Sequence, residues 1–116
     1  MLKRVEEMKK EIRERMRDGK GSVELQHVFI QDELTGKCRL FARVTLKPGC
    51  SIGTHTHDRE EEIYYIISGT ATVDDNGEIR TLRPGDAVLT GNGAYHSIEN
   101  AGDEDLVLMA VILLYD

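Results

Sequence analysis

From Ser22 onward, apolar and polar residues alternate with a period of two. Val23, Leu25, His27 and Phe29 alternate with Glu24, Gln26, Val28 and Ile30, and Leu40, Ala42, Val44 and Leu46 with Arg39, Phe41, Arg43 and Thr45. Successive side chains of a strand point to opposite faces, so this spacing predicts half-buried strands. Further strands are expected over Ser51–His57, Glu61–Ile67, Thr70–Asp74, Glu78–Leu82, Ala87–Thr90, Ala94–Glu99 and Asp105–Leu114. Turn chemistry separates them. Asn76-Gly77 suits a type I′ hairpin, which needs positive φ at both central residues, and Pro48-Gly49 and Pro84-Gly85 suit type II turns. Many short strands with such turns between them read as an all-β sandwich or barrel.

The first segment has another period. Leu2, Val5, Met8, Ile12 and Met16 recur at three- and four-residue steps, which predicts a helix over Met1–Asp18, ended by Gly19 and Gly21. The chain then divides into an N-terminal helical segment, 1–21, and one barrel domain, 22–116. A length of 116 residues supports one domain with a real core.

A net charge of −6 argues against nucleic-acid binding, which calls for a basic surface. The bases between Lys3 and Lys20 alternate with acids, as on a solvated face. The longest apolar run, Leu106–Leu114, is too short to cross a bilayer as a helix, and the charged N-terminus lacks the apolar stretch of a secretory signal. Cys38 and Cys50 fall in no C-x-x-C pattern. The expectation is a cytoplasmic protein with two reduced thiols.

Three of the four histidines enter the candidate chemistry. His55 and His57 lie two apart and project from one face of a strand; Glu62 follows a polar loop and returns on the next strand; His96 arrives from a distant one. Imidazole and carboxylate donors together suit one divalent transition metal ion, with Mn, Fe, Co, Ni and Zn all acceptable. Closed structural zinc sites are rich in cysteine, so this set reads as an open, ligand-accepting site. Glu60 shares a face with Glu62, and parity separates the two only weakly. Tyr64, on that face too, is the candidate catalytic residue as a proton shuttle, against the plainer reading of a core tyrosine. His27 is read as a strand residue without a metal role, and Asn100 as a turn-fixing side chain. Arg39 and Arg43 share a face and either line the barrel as anion-binding groups or lie on its surface.

The stretch Gly49-x5-His55-x-His57-x4-Glu62-x6-Gly69 resembles the first motif of the cupin family, and Gly85-x10-His96-x3-Asn100 resembles the second, with Gly91 where the family has proline. The resemblance implies a small double-stranded β-helix, or jelly-roll, barrel with His55, His57, Glu62 and His96 as metal ligands in its mouth, and a homodimer. It leaves chemistry open between a metal-dependent lyase, isomerase or dioxygenase acting on a small carboxylate- or sugar-derived molecule and a non-catalytic binding domain for a sugar or organic acid. Two-domain oxalate-degrading cupins carry an arginine three residues before the first histidine. Here that residue is Ile52, which argues against oxalate as a substrate.

Overall fold

A computed structural model describes residues 1–116. Its strands are β1 (Lys9–Glu14), β2 (Ser22–His27), β3 (Cys38–Leu46), β4 (Ser51–Thr56), β5 (Glu60–Ser68), β6 (Ala71–Asp75), β7 (Glu78–Leu82), β8 (Ala87–Gly91), β9 (Tyr95–Glu99) and β10 (Leu106–Leu114). They form two antiparallel sheets, of order β1-β2-β3-β10-β5-β8 and β4-β9-β6-β7. Every strand expected after Ser22 is present. The Asn76-Gly77 hairpin has both central residues at positive φ, 52° and 98°. No helix is long and apolar enough to cross a membrane.

The inner faces of the two sheets supply the core. Val23 and Leu25, then Ala42, Val44 and Leu46, then Leu106, Leu108 and Ala110 pack from the larger sheet against Ile52, Ala71, Val73 and Ile98 from the smaller. This is the two-layer arrangement in which alternating apolar faces meet and polar faces turn to water. Asn100 is fully buried and fixes the turn after β9. Its Nδ2 donates to the carbonyls of Leu46 and Glu104, and its Oδ1 accepts from the Gly102 amide.

The helix expected over Met1–Asp18 does not form. The segment instead holds two single 3-10 turns, Val5–Glu7 and Met16–Asp18, on either side of β1. The reason lies in what each conformation could bury. A lone helix of this length is marginal without a packed face, and its apolar stripe holds only five residues, one per turn. As a strand, the segment satisfies the outer backbone groups of β2 over a six-residue register, Lys9↔His27 to Glu14↔Ser22. Cross-strand charge pairs replace the stripe: Glu11 bonds His27 and Lys10 lies near Glu24. Ile12, counted in the helical stripe, is left 60% exposed.

Two irregularities in strand pairing aim side chains. In β4, Ile52 faces Ile98 but His55 faces His96, so one extra residue enters between them. Ile52 is buried, and strict alternation from it would turn His55 and His57 outward; the bulge at Gly53–Thr54 reverses that parity. In β3, Leu40 faces Ile112 and Cys38 faces Leu113, which makes Arg39 the extra residue. Arg39 thereby turns into the barrel mouth, while Arg43, of the same parity, stays exposed on the outer face.

Gly53 also lets the β1–β2 connection close against β4, because a Cβ there would overlap the carbonyl oxygen of Arg17. Gly53→Ala forces that backbone apart or flattens the bulge. It is expected to cost about 1–3 kcal/mol in urea unfolding, the usual penalty of overpacking, whereas the same change at Gly36, which has open space around it, leaves stability within about 0.5 kcal/mol. Equal midpoints for the two variants would contradict this account of the bulge.

Candidate metal centre

The mouth of the barrel collects the four residues singled out by spacing. His55 comes from β4, His57 from the residue following it, Glu62 from β5 and His96 from β9. Pairing explains their convergence: His55 and His96 are direct cross-strand partners, and Glu62 lies opposite Thr90 and Ile112 in the facing sheet. Three of the four are buried and His55 nearly so.

Their donor atoms point at one another. His96 Nε2 lies 3.0 Å from the Nε2 atoms of His55 and His57 and from Glu62 Oε1. His57 Nε2 lies 2.9 Å from Glu62 Oε1, and His55 Nε2 lies 3.6 Å from it. Ligands at right angles on a cation, with bonds of about 2.1 Å, stand about 3.0 Å apart, against about 3.4 Å at tetrahedral angles. Most of these separations therefore match the edges of an octahedron, the shape that leaves positions for further oxygen ligands.

Hydrogen bonding sets the tautomers. His55 Nδ1 donates to the Gly53 carbonyl at 2.7 Å, and His57 Nδ1 donates to Glu60 at 2.5 Å. Each ring therefore presents a bare Nε2 lone pair to the cluster. Such facing lone pairs repel without a cation between them, so the donor set fits a bound metal ion. His96 differs: its Nδ1 is buried without a partner, and its ring is held by stacking on Tyr64, 4.7 Å between centroids and 6° between planes.

A second row of charges orients the first. Arg39 grips Glu60 through both of its oxygens, Nε to Oε1 at 2.7 Å and Nη2 to Oε2 at 2.8 Å. The guanidinium, against burial and with help from His57, holds the Glu60 carboxyl down at about 2. The relay Arg39–Glu60–His57 is the carboxylate–histidine support common at metal sites, which fixes the ring and raises its basicity. Burial alone would raise Glu62, but the His55, His57 and His96 rings crowded around it keep it well below the ordinary carboxylate range. Burial would lower His57, yet Glu62 and Glu60 hold it above its ordinary value, while in His96 burial prevails over Glu62 and the ring stays below. For Tyr64, burial first and then Glu62 push the hydroxyl well above its usual range, opposed by the charge of Arg17.

The cluster opens onto a cavity of about 260 Å³ between the sheets, walled by Arg39, Tyr64 and Ile112 and, from the N-terminal segment, by Arg13, Met16 and Arg17. His27 also lines it, bonded to Glu11 at 2.6 Å and outside the four-residue cluster. Sequence reasoning missed two features. One is the role of Glu60 beneath His57, whose only signal was that it shares a face with Glu62. The other is the wall built from residues 13–17, for which a helical reading gave no signal at all.

Comparison with known proteins agrees with this geometry. A family model described as a cupin domain matches residues 42–112. The chain is 45% identical over 114 residues to an oxalate-binding protein of Thermotoga maritima, covering 98% of this chain and 94% of that protein. A crystal structure from the same organism, described as a predicted oxalate decarboxylase, superposes with a TM-score of 0.92 at 45% identity, over 98% of this chain and 99% of the other. A mannose-1-phosphate guanylyltransferase of Salmonella typhimurium is 35% identical over 69 residues, but that match spans 60% of this chain and only 14% of the enzyme. At 24% identity and a TM-score of 0.66, KdgF from Halomonas sp., with 81% of each chain covered, shares the fold alone. With both motifs in place, four donors converging in the barrel mouth and a family match across most of the strands, the chain belongs to the cupin family.

Proposed function

We propose that this chain is a metal-dependent binding protein for a small chelating carboxylate, with His55, His57, Glu62 and His96 as ligands of one divalent transition metal ion. A bound ion supplies a Lewis-acidic centre on which a chelating carboxylate can sit. Gly53 and Glu60 orient two of the imidazoles toward it. The observation that carries binding over turnover is the commitment of the acid and base groups around the cavity. Glu62 faces three histidines, Glu60 is held by Arg39 and His57, Glu11 is held by Arg13 and His27, and burial keeps the Tyr64 proton on its oxygen. Each is already engaged and poorly placed to shuttle protons at neutral pH. The cavity also lies below the about 300–1,000 Å³ of drug-sized sites, which suits a ligand of a few heavy atoms. The name of the Thermotoga maritima relative, oxalate-binding protein, supports oxalate as the first ligand to try. That choice is compatible with Ile52 in place of the arginine of oxalate-degrading enzymes, since binding requires no cleavage.

A second reading is a metal-dependent enzyme on the same class of molecule. Tyr64 favours it, because it lines the cavity with its hydroxyl beside Glu62. Titration calorimetry with oxalate on the Mn-loaded protein, paired with a product assay over hours, separates the two. Saturable binding with oxalate recovered intact is expected; product formation abolished by His55→Ala would transfer the assignment to the enzyme.

Metal dependence has its own signatures. A ligand present at about a hundred times its dissociation constant adds roughly 2.7 kcal/mol to the folded state. Chelation is therefore expected to lower the melting temperature by on the order of 10 °C in a domain of this length. Glu60→Gln removes the charge beneath His57 and leaves Arg39 unmatched. Metal affinity is expected to fall about 10–100-fold, measured by competition with a chelating dye, and an unchanged affinity would remove the relay from the site.

We extend the proposal to a homodimer. Leu2, Val5 and Ile12 are 69%, 61% and 60% exposed beside the open edge of β1, and a second copy would cover them. Sedimentation velocity is expected to show about twice the 13.1 kDa chain mass; a single monomer boundary across the concentration range would overturn this.

A further inference from the structure

We propose that Arg17 recognises the outer oxygens of a small dianion seated in the cavity, and so makes the site selective for two carboxylates over one. The inference rests on the ligand reading above and deepens it.

Charge matching carries the argument. Three arginines reach the cavity, and two of them are already answered: Arg39 by both oxygens of Glu60, and Arg13 by Glu11 at 3.0 Å. Arg17 has no carboxylate partner. A divalent ion beside the single negative charge of Glu62 leaves one positive charge, and Arg17 adds a second. With the Arg39–Glu60 and Arg13–Glu11 pairs cancelling, the cavity is complementary to a dianion. A monoanion leaves one of those charges unanswered.

Backbone geometry shows that the position of Arg17 is imposed. Arg15, Arg17 and Asp18 have φ of 47°, 55° and 63°, left-handed values that side-chain-bearing residues keep only where their surroundings hold them. The surroundings here are explicit. The Lys20 amide donates to Ser51 Oγ and the Ser51 amide to the Lys20 carbonyl, both at 2.9 Å. Gly19 and Gly53 sit so close to the opposite backbone that neither has room for a Cβ. The strap is thus pinned to β4 at the same bulge that turns His55 inward, which fixes the backbone of Arg17 relative to the histidine cluster and leaves its exposed side chain free to reach a ligand. Arginine suits the task because its planar fork donates two parallel hydrogen bonds to carboxylate oxygens. Oxalate chelating a cation through one oxygen of each carboxylate would direct its two remaining oxygens away from the ion, where such a fork can meet them.

The test uses the Mn-loaded full chain, oxalate as dianion and glycolate as a chelating monoanion. Binding is measured by calorimetry for the parent chain, for Arg17→Gln and for Arg80→Gln, a charge-matched change on β7, away from this cavity. Arg17→Gln is expected to lose oxalate affinity by at least about tenfold and glycolate affinity by about threefold or less, the scale of a lost charge-assisted pair. Metal content and melting temperature stay at parent values, and Arg80→Gln shifts neither anion by more than about twofold. Oxalate binding within about twofold of the parent in Arg17→Gln, or equal losses for both anions, would overturn the role of Arg17 while leaving the ligand reading intact. A parent chain that holds Mn but binds neither anion would overturn the ligand reading and this inference with it.

Discussion

One broken alternation organises this molecule. Strand side chains face the two sides of a sheet in strict turn, so a single extra residue exchanges inside for outside in all that follows. The bulge at Gly53–Thr54 lets Ile52 belong to the apolar core and His55 belong to the polar mouth, within one strand. Without it, the core contact and the two histidines would compete for the same face. The cluster, the cavity and the seat of the N-terminal strap all follow from that step.

The resulting centre is rigid and uneven. His57 leans on a carboxylate that is itself gripped by Arg39, His55 leans on a backbone carbonyl, and His96 leans on the face of Tyr64 with no partner for its second nitrogen. Support from a carboxylate makes an imidazole a stronger donor than support from a neutral group. The three histidines are therefore unequal donors despite identical chemistry. The same feature that strengthens His57, the Arg39–Glu60 pair, depends on the second bulge, in β3, which turns Arg39 into the mouth and leaves Arg43 outside. Both sheets thus use one inserted residue to place a polar group among apolar neighbours, a recurrent use of bulges beside functional sites.

The N-terminal segment closes the mouth because it pairs as a strand. Its inward residues Glu11 and Arg13 cannot enter a core, so they form ion pairs around the cavity, and its apolar residues Leu2, Val5 and Ile12 are left outward. A helix would have inverted this distribution. The choice shows how a free sheet edge, with its unsatisfied amides and carbonyls, outweighs a weak helical periodicity.

Residue spacing determined the strands after Ser22, the Asn76-Gly77 hairpin, the turn role of Asn100 and the choice of His55, His57, Glu62 and His96 as candidate ligands, because period, turn chemistry and ligand spacing are local properties written into short stretches of chain. What the sequence could not determine was the state of residues 1–21, where three- and four-residue steps looked helical but the partner strand lay elsewhere in the chain. Nor could it tell Arg39 from Arg43, or give Glu60 its place under His57. Those outcomes turn on where a bulge falls and on which edge is open, and both depend on how distant strands register against one another. Only the assembled sheets, bringing residue 39 to residue 60 and residue 17 to residue 53, decided them.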